Sequence, residues 1–136
     1  MIRSFLKPPT LAAQVSLAVL ILRIGFAGFL LTHGYGKLQS FLDGDHDFPD
    51  PLHVSPIVSQ VMAVFSEFFC SILLMLGLLT RPVAAILVVC MAVIAFIVHG
   101  PDPLGDKEHA LLFLIAFVAI LLTGPGKYSL DTRIFK

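Results

Sequence analysis

The sequence is poor in charge and has no tryptophan: only 13% of its 136 residues are Asp, Glu, Lys or Arg. A soluble domain carries about a quarter charged residues, so this chain lacks the side chains that cover a water-facing surface. Its formal net charge is zero and it has no basic run, which argues against a nucleic-acid-binding protein. Its two cysteines, Cys70 and Cys90, both fall within apolar segments and give no indication of a secreted disulfide scaffold.

Long apolar runs are what the sequence has instead. Hydrophobic residues make up 57% of the chain, and its mean hydropathy is +0.95, more apolar material than one small soluble core could bury. A helix needs about 20 mostly apolar residues to cross a bilayer. Four such segments, with no strand-like alternation, predict an all-α fold, a single antiparallel four-helix transmembrane bundle over residues 1–136. The predicted spans are 15–36, 56–79, 82–99 and 109–124, with an outer loop at 37–55.

The distribution of basic residues predicts the orientation of these spans. The apolar run of the first segment is too long for a cleaved signal peptide, so we interpret it as an uncleaved span. Four spans place both termini on one side, which holds six basic residues against two on the other, and the positive-inside rule makes that side cytoplasmic. We therefore predict a multi-pass protein of a bacterial inner membrane. The six basic residues are Arg3, Lys7, Arg81, Lys127, Arg133 and Lys136.

Two opposite charges, Arg23 and Glu67, lie deep in the apolar segments. A charge at a helix centre costs about 2.5–3.5 kcal/mol or more, so each is a candidate for function. From the helical rise they lie about 13 and 19 Å above the cytoplasmic boundary, which predicts a direct or water-mediated pair. Helical side chains lean toward their own N-terminus and would tilt these two apart, so the pair requires an extended arginine or a shifted register. The alternatives are a snorkelling arginine and a neutral glutamic acid.

Polar residues recur on the same helix faces as the two charges. His33 and Lys37 follow Arg23, whereas Gln60 and Ser71 flank Glu67, which predicts a polar track leading from mid-membrane to the outer surface. The alternative is that the polar residues at the outer end of this track, its mouth, are simply those usual where a spanning helix reaches the membrane surface. We assign Arg23 and Glu67 as candidate catalytic residues, and we predict a ligand site at the mouth, formed by His33, Lys37, His99 and Glu108.

Two further patterns have simpler explanations. The loop "DGDHDFPDPLH" is rich in Asp and His, but it lacks the glycine and distant glutamate of a calcium loop, and such residues are common in exposed loops. Cys70 and Cys90 lie at similar predicted depths and could meet as a redox-active dithiol within the membrane. Buried cysteine, however, usually acts as a small hydrophobic residue. We predict no metal site and find no haem motif.

Several segments, in their order and spacing, resemble the DoxX family. They are "LRIGFAGFLLTHGYGKL", Glu67 in the second span, "LGLLTRPVA", "EHALLFL" and "GPGKYSLD". The resemblance runs from about residue 18 to 131 and leaves out the Asp/His loop. It implies a small four-helix inner-membrane protein. It also implies a link to redox chemistry, because some relatives are membrane subunits of thiosulfate:quinone oxidoreductases and others are linked to thiol redox defence. On that analogy the family's polar signature falls on Arg23, Lys37, Glu67 and Glu108.

The resemblance and the polar track together predict a membrane subunit of a respiratory or sulfur/thiol redox system, with a quinone or a small anion bound in the track. If the protein is an enzyme, it is a quinone-linked oxidoreductase subunit. The lipid bilayer and a protein partner in a redox complex are the expected partners. A non-catalytic accessory or assembly subunit is the main alternative, and a small transporter or proton-conducting module is the third.

Overall fold

The computed structural model describes residues 2–135, and within this range the chain is helical with no strands. Six helices follow one another. They are α1 (Ile2–Leu6), α2 (Ala13–Leu42), α3 (Pro56–Leu76), α4 (Thr80–Val98), α5 (Leu104–Thr123) and α6 (Asp131–Ile134). The predicted all-helical class is confirmed. The helices extend beyond or stop short of the predicted spans by up to six residues, because polar residues such as those at 104–108 continue a helix that apolarity alone does not reveal.

Three helices within residues 2–135 are long and apolar enough to cross a bilayer: α2, α3 and α4. The fifth helix has 20 residues but carries Asp106, Lys107 and Glu108 near its start. A fourth span and the side on which the termini lie therefore stay predictions.

The long helices pack against one another through small and aliphatic residues. Helix α2 contacts α3 and α5, and α4 contacts the same two helices. Ala27, Ala84 and Phe117 are completely buried at the centre of this arrangement. At Gly34 helices α2 and α3 pack very closely, since a Cβ there would collide with the backbone of Glu67 and Phe68. This contact fixes the register of α2 against α3.

Helix ends in the structure are satisfied by specific groups. Ser55 begins α3, where its hydroxyl accepts a hydrogen bond from the Val58 amide (3.2 Å) ahead of the helical Pro56. The same helix ends at Gly77, whose φ of +67° permits the left-handed turn that closes a helix C-terminus. The amides that begin α4, Leu79 and Thr80, donate to the carboxylate of Asp131 at 2.7 and 2.8 Å. Asp131 thus ties the C-terminal segment to the α3–α4 turn.

Both terminal segments lie at one end of the molecule, which we call the terminal end. Arg81 at the start of α4 donates to the Phe5 carbonyl (3.0 Å), and the Asp131 amide donates to the Gly77 carbonyl (2.9 Å). The opposite end, which we call the loop end, carries the loop at 43–55 and the α4–α5 turn.

Candidate functional site

Arg23 lies at the terminal end and contacts main-chain carbonyls. Its Nε donates to Leu74 (2.9 Å) and one terminal nitrogen to Met75 (2.9 Å), both in the last turn of α3. The other terminal nitrogen donates to Pro125 (2.7 Å) and Tyr128 (3.0 Å) in the segment after α5. The last carbonyls of a helix have no partner within it and carry partial negative charge, so a buried cation suits this position. Arg23 therefore joins the end of α3 to the C-terminal segment.

The predicted pairing of Arg23 with Glu67 is wrong, and the register of the helices gives the reason. Gly34 packs against the backbone of Glu67, so the two are at the same height. Arg23 precedes Gly34 by eleven residues, which places it about 16 Å farther toward the terminal end. The sequence estimate assumed that α2 and α3 reach the membrane boundary at the same height. In the structure α2 continues well beyond the end of α3.

The partner of Glu67 is Lys37, whose ammonium forms an ion pair with its carboxylate. Lys37 follows Gly34 by one helical turn. Its side chain leans back toward the N-terminus of α2, while Glu67 leans toward the N-terminus of the antiparallel α3, so the two converge. The Glu67 side chain is 2% exposed and that of Lys37 is 31% exposed, so the cation alone reaches a surface.

That surface is a groove of about 830 Å³ between α3 and α4, which we call the lateral groove. Its lining is mainly apolar, with Lys37 and Glu67 on one wall and His99 at the loop end. Its other lining residues include Phe48, Pro49, Pro51, Leu52, Met62, Ala63, Phe65, Ser66, Ala85, Ile86, Val89, Cys90, Val93, Ile94 and Val98. A pocket of this size, apolar with a few convergent polar groups, is typical of a small-molecule site.

Two π-helical turns border the lateral groove. The first, Phe65–Cys70, contains Glu67, and the second, Ile94–Val98, leads into His99. Turns of this kind are rare and occur often at functional sites, because the extra residue per turn redirects side chains. Within the first turn Ser66 donates to the Met62 carbonyl (2.8 Å), and its oxygen lies 3.2 Å from the Cys90 sulfur of α4. Cys90 is thus a wall residue of the groove, whereas Cys70 is completely buried.

The loop at 43–55 covers the loop end of the groove. It is held to α3 by Ser59, which donates to the Asp50 carboxylate (2.7 Å), and by Gln60, which contacts His46 (2.9 Å) and the Asp45 carbonyl (2.9 Å). The hydrogen bond from Ser59 holds the pKa of Asp50 below its usual value. Polar residues of this loop therefore serve to fasten it, and its apolar residues, such as Phe48 and Leu52, line the groove.

The structure brings together three of the six predicted site residues. Lys37, Glu67 and His99 share the lateral groove, and His99 also contacts Asp102 at 2.9 Å. His33 is exposed on α2 with its ring edge-on to Phe113 of α5, and Glu108 is exposed near the start of α5; neither lines the groove.

Sequence reasoning missed the loop residues 48–52, Ser66 and the capping carboxylate of Asp131. The loop residues carried a signal, since "DFPDPL" places apolar residues in an outer loop where none are needed for solubility. Asp131 was also visible as the single acid on the basic side of the predicted topology.

Comparisons with known proteins find one family match and several similar proteins. The sequence pattern of the DoxX family matches residues 18–100. The chain is 29% identical over 126 residues to the inner membrane protein YphA of Escherichia coli, covering 85% of this chain and 89% of that protein. It is 26% identical over 124 residues to the E. coli inner membrane protein YqjF, with coverages of 87% and 92%. An uncharacterized Haemophilus influenzae protein is 33% identical over 126 residues, with coverages of 85% and 89%. No solved structure matches the chain.

Proposed function

The chain belongs to the DoxX family, as its sequence resemblance indicated, and from this premise we propose that it binds a quinone in the lateral groove as a subunit of a respiratory or sulfur/thiol redox system. The protein is a multi-pass inner-membrane protein, as predicted. The observation that carries the proposal is a groove of about 830 Å³ that is apolar along its length and has an ion pair in its wall.

A quinone needs a flat apolar slot and a few hydrogen-bond donors for its carbonyl oxygens. Phe65 and Met62 on α3 face Ile86 and Val89 of α4 across the groove and would enclose the ring. The ammonium of Lys37 is the charged donor in the wall, and its 31% exposure leaves it accessible to a ligand. The apolar lining also favours a quinone over the small anion considered from the sequence, because Glu67 already offsets the charge of Lys37.

The ion pair has a defined role in this proposal. Reduction of a quinone places negative charge on its carbonyl oxygens, and a nearby ammonium stabilises that charge. Lys37 would hold one oxygen by hydrogen bonding, and Glu67 would keep Lys37 in position and exchange protons with it. Electrons would come from the partner redox protein. Arg23, His33 and Glu108 lie outside the groove and have no part in binding.

We also propose that α5 is a fourth span and that the terminal end faces the cytoplasm. The 20 residues of α5 reach about 30 Å, the thickness of the hydrocarbon layer, and the charged residues of this helix are confined to its first turns. Single cysteines placed in the terminal segment and in the 43–55 loop, in a background without Cys70 and Cys90, test this. Only the loop cysteine should react with an impermeant maleimide added to intact cells.

Binding of a short-chain benzoquinone to the purified protein in detergent, measured by calorimetry, tests the quinone site. Ala63 and Ala85 are half-buried groove residues, so Ala63→Phe with Ala85→Phe fills the slot without touching the ion pair. This variant should lose binding. The matched control is Ala18→Phe on the exposed face of α2, which should bind as the wild type does.

A second variant, Lys37→Met, keeps the slot but removes the donor. Loss of one charged hydrogen bond should weaken binding by about tenfold or more. Equal binding by wild type and the filled-groove variant would overturn the proposal, as would failure of the wild type to bind any benzoquinone or naphthoquinone.

A further inference from the structure

A second cavity lies at the terminal end and shares no lining residue with the lateral groove. Its volume is about 440 Å³, and we call it the basal pocket. It is formed where α2 and the last turn of α3 meet the segment after α5. Leu20 and Arg23 come from α2, Leu76 from α3, and Lys127 and Tyr128 from the C-terminal segment, with Arg133 on α6.

The basal pocket is positively charged. Arg23, Lys127 and Arg133 line it, and none of its lining residues is acidic. Lys127 and Arg133 are exposed, and neither side chain forms an ion pair with any residue in the described range 2–135. The ammonium of Lys127 lies over the ring of Tyr128 at 5.7 Å. Two exposed cations at the rim are therefore available to a ligand.

The nearest acid does not neutralise this cluster. Asp131 is 2% exposed, and both of its carboxylate oxygens accept hydrogen bonds from the amides of Leu79 and Thr80 at the start of α4. The guanidinium of Arg23 at the pocket floor donates to four neutral carbonyls and forms no ion pair with a carboxylate in the described residues. Asp131 offsets part of that charge and leaves Lys127 and Arg133 in excess.

The pocket lies at the level where a membrane-spanning helix ends. Leu76 is the last residue of α3 and is 50% exposed, so an apolar surface reaches the pocket rim from the membrane side. Tyr128 is 45% exposed beside it, and tyrosine is enriched where bilayer meets water. Cations therefore lie at headgroup height directly beside a surface suited to acyl chains.

We propose that the basal pocket binds the phosphate of an anionic phospholipid headgroup. Lys127 and Arg133 contact the phosphate from the rim, Arg23 attracts it from below, and one acyl chain lies along Leu76. Basic pockets between spanning helices are suited to such headgroups. A free phosphate would offer the same charge but nothing to the exposed apolar surface, which is why the structure favours a lipid.

The test is competition for a fluorescent phosphatidylglycerol bound to the delipidated full chain in a neutral detergent. Unlabelled phosphatidylglycerol should compete, whereas phosphatidylcholine of the same chain length and inorganic phosphate should not. Lys127→Ala with Arg133→Ala should weaken phosphatidylglycerol binding by about fivefold for each cation removed, roughly 25-fold for both. Arg133→Lys keeps the charge and should retain binding close to that of the wild type.

The matched control is Arg3→Ala with Lys7→Ala, which removes the same charge from the same end of the molecule but lies outside the pocket. It should change affinity by less than about threefold, since exposed charges that do not contact the phosphate are weakened by salt screening. An equal loss in this control would show a diffuse surface effect and overturn the proposal. Equal competition by phosphatidylcholine, or by inorganic phosphate, would overturn the headgroup or the lipid part respectively.

Discussion

Replacing Arg23 with methionine tests whether this residue holds the terminal end together. The change keeps a long side chain but removes the hydrogen-bond donors to Leu74, Met75, Pro125 and Tyr128. A buried carbonyl left without a partner costs about 1–3 kcal/mol. Met75 and Tyr128 line the basal pocket and are not fully buried, so we use the low end of that range for each of four acceptors. The expected loss is about 4 kcal/mol of unfolding free energy.

The assay is reversible unfolding in mixed micelles at increasing mole fraction of denaturing detergent, followed by helical circular dichroism. The matched control is Arg81→Met, because Arg81 makes a single exposed hydrogen bond, to the Phe5 carbonyl. That variant should lose about 1 kcal/mol or less. Arg23→Lys keeps the charge but not the geometry of the planar guanidinium, and it should fall between the wild type and Arg23→Met.

A double-mutant cycle separates this explanation from a charge pair. Arg23 lies about 16 Å from the height of Glu67, so Arg23→Met and Glu67→Gln should be additive within about 0.5 kcal/mol. The cycle of Lys37→Met with Glu67→Gln should give a coupling energy of about 1 kcal/mol or more. A small loss for Arg23→Met, or strong coupling between Arg23 and Glu67, would refute the role assigned to the guanidinium.

Three further predictions concern the groove and its loop. Lys37→Met should cost about 2 kcal/mol, less than a fully buried pair because Lys37 is partly exposed, and adding Glu67→Gln should recover most of it in the same micelle assay. Gly34→Ala should cost about 1–3 kcal/mol because its Cβ meets the backbone of α3, whereas Gly36→Ala, with open space, should gain about 0.5–1 kcal/mol. The pKa of Asp50 is lower in the folded than in the unfolded chain, so its stabilisation of the loop is complete above the unfolded pKa and is lost as pH falls through the folded one. The hydrogen-exchange protection factor of the Val54 amide, which corrects for the pH dependence of the intrinsic exchange rate, should therefore fall on acidification, and in Asp50→Ala it should be low at every pH.

The fold class, the family and the membrane location followed from the sequence because each depends on composition and on the order of long segments. Apolar runs of about 20 residues have few alternatives to a membrane helix. Helix ends were harder to predict, since they depend on caps supplied from elsewhere in the chain. Asp131, for example, caps α4 from 51 residues away, and no local pattern at Leu79 or Thr80 reveals it.

The relative height of the helices was the quantity missing from the prediction of the site. Assuming that α2 and α3 reach the membrane boundary at the same height put Arg23 near Glu67. Helical side chains point toward their own N-terminus, however, which directs these two side chains away from each other. For Lys37 and Glu67 the same rule directs the side chains toward each other. The direction of the side chains therefore indicates Lys37 as the partner, provided that the relative height of the two helices is not assumed. Gly34 sets that register, because its missing side chain is what lets α2 approach the backbone of Glu67. A glycine one turn before a lysine, opposite a buried glutamate on an antiparallel helix, is therefore the local pattern from which this ion pair could be predicted.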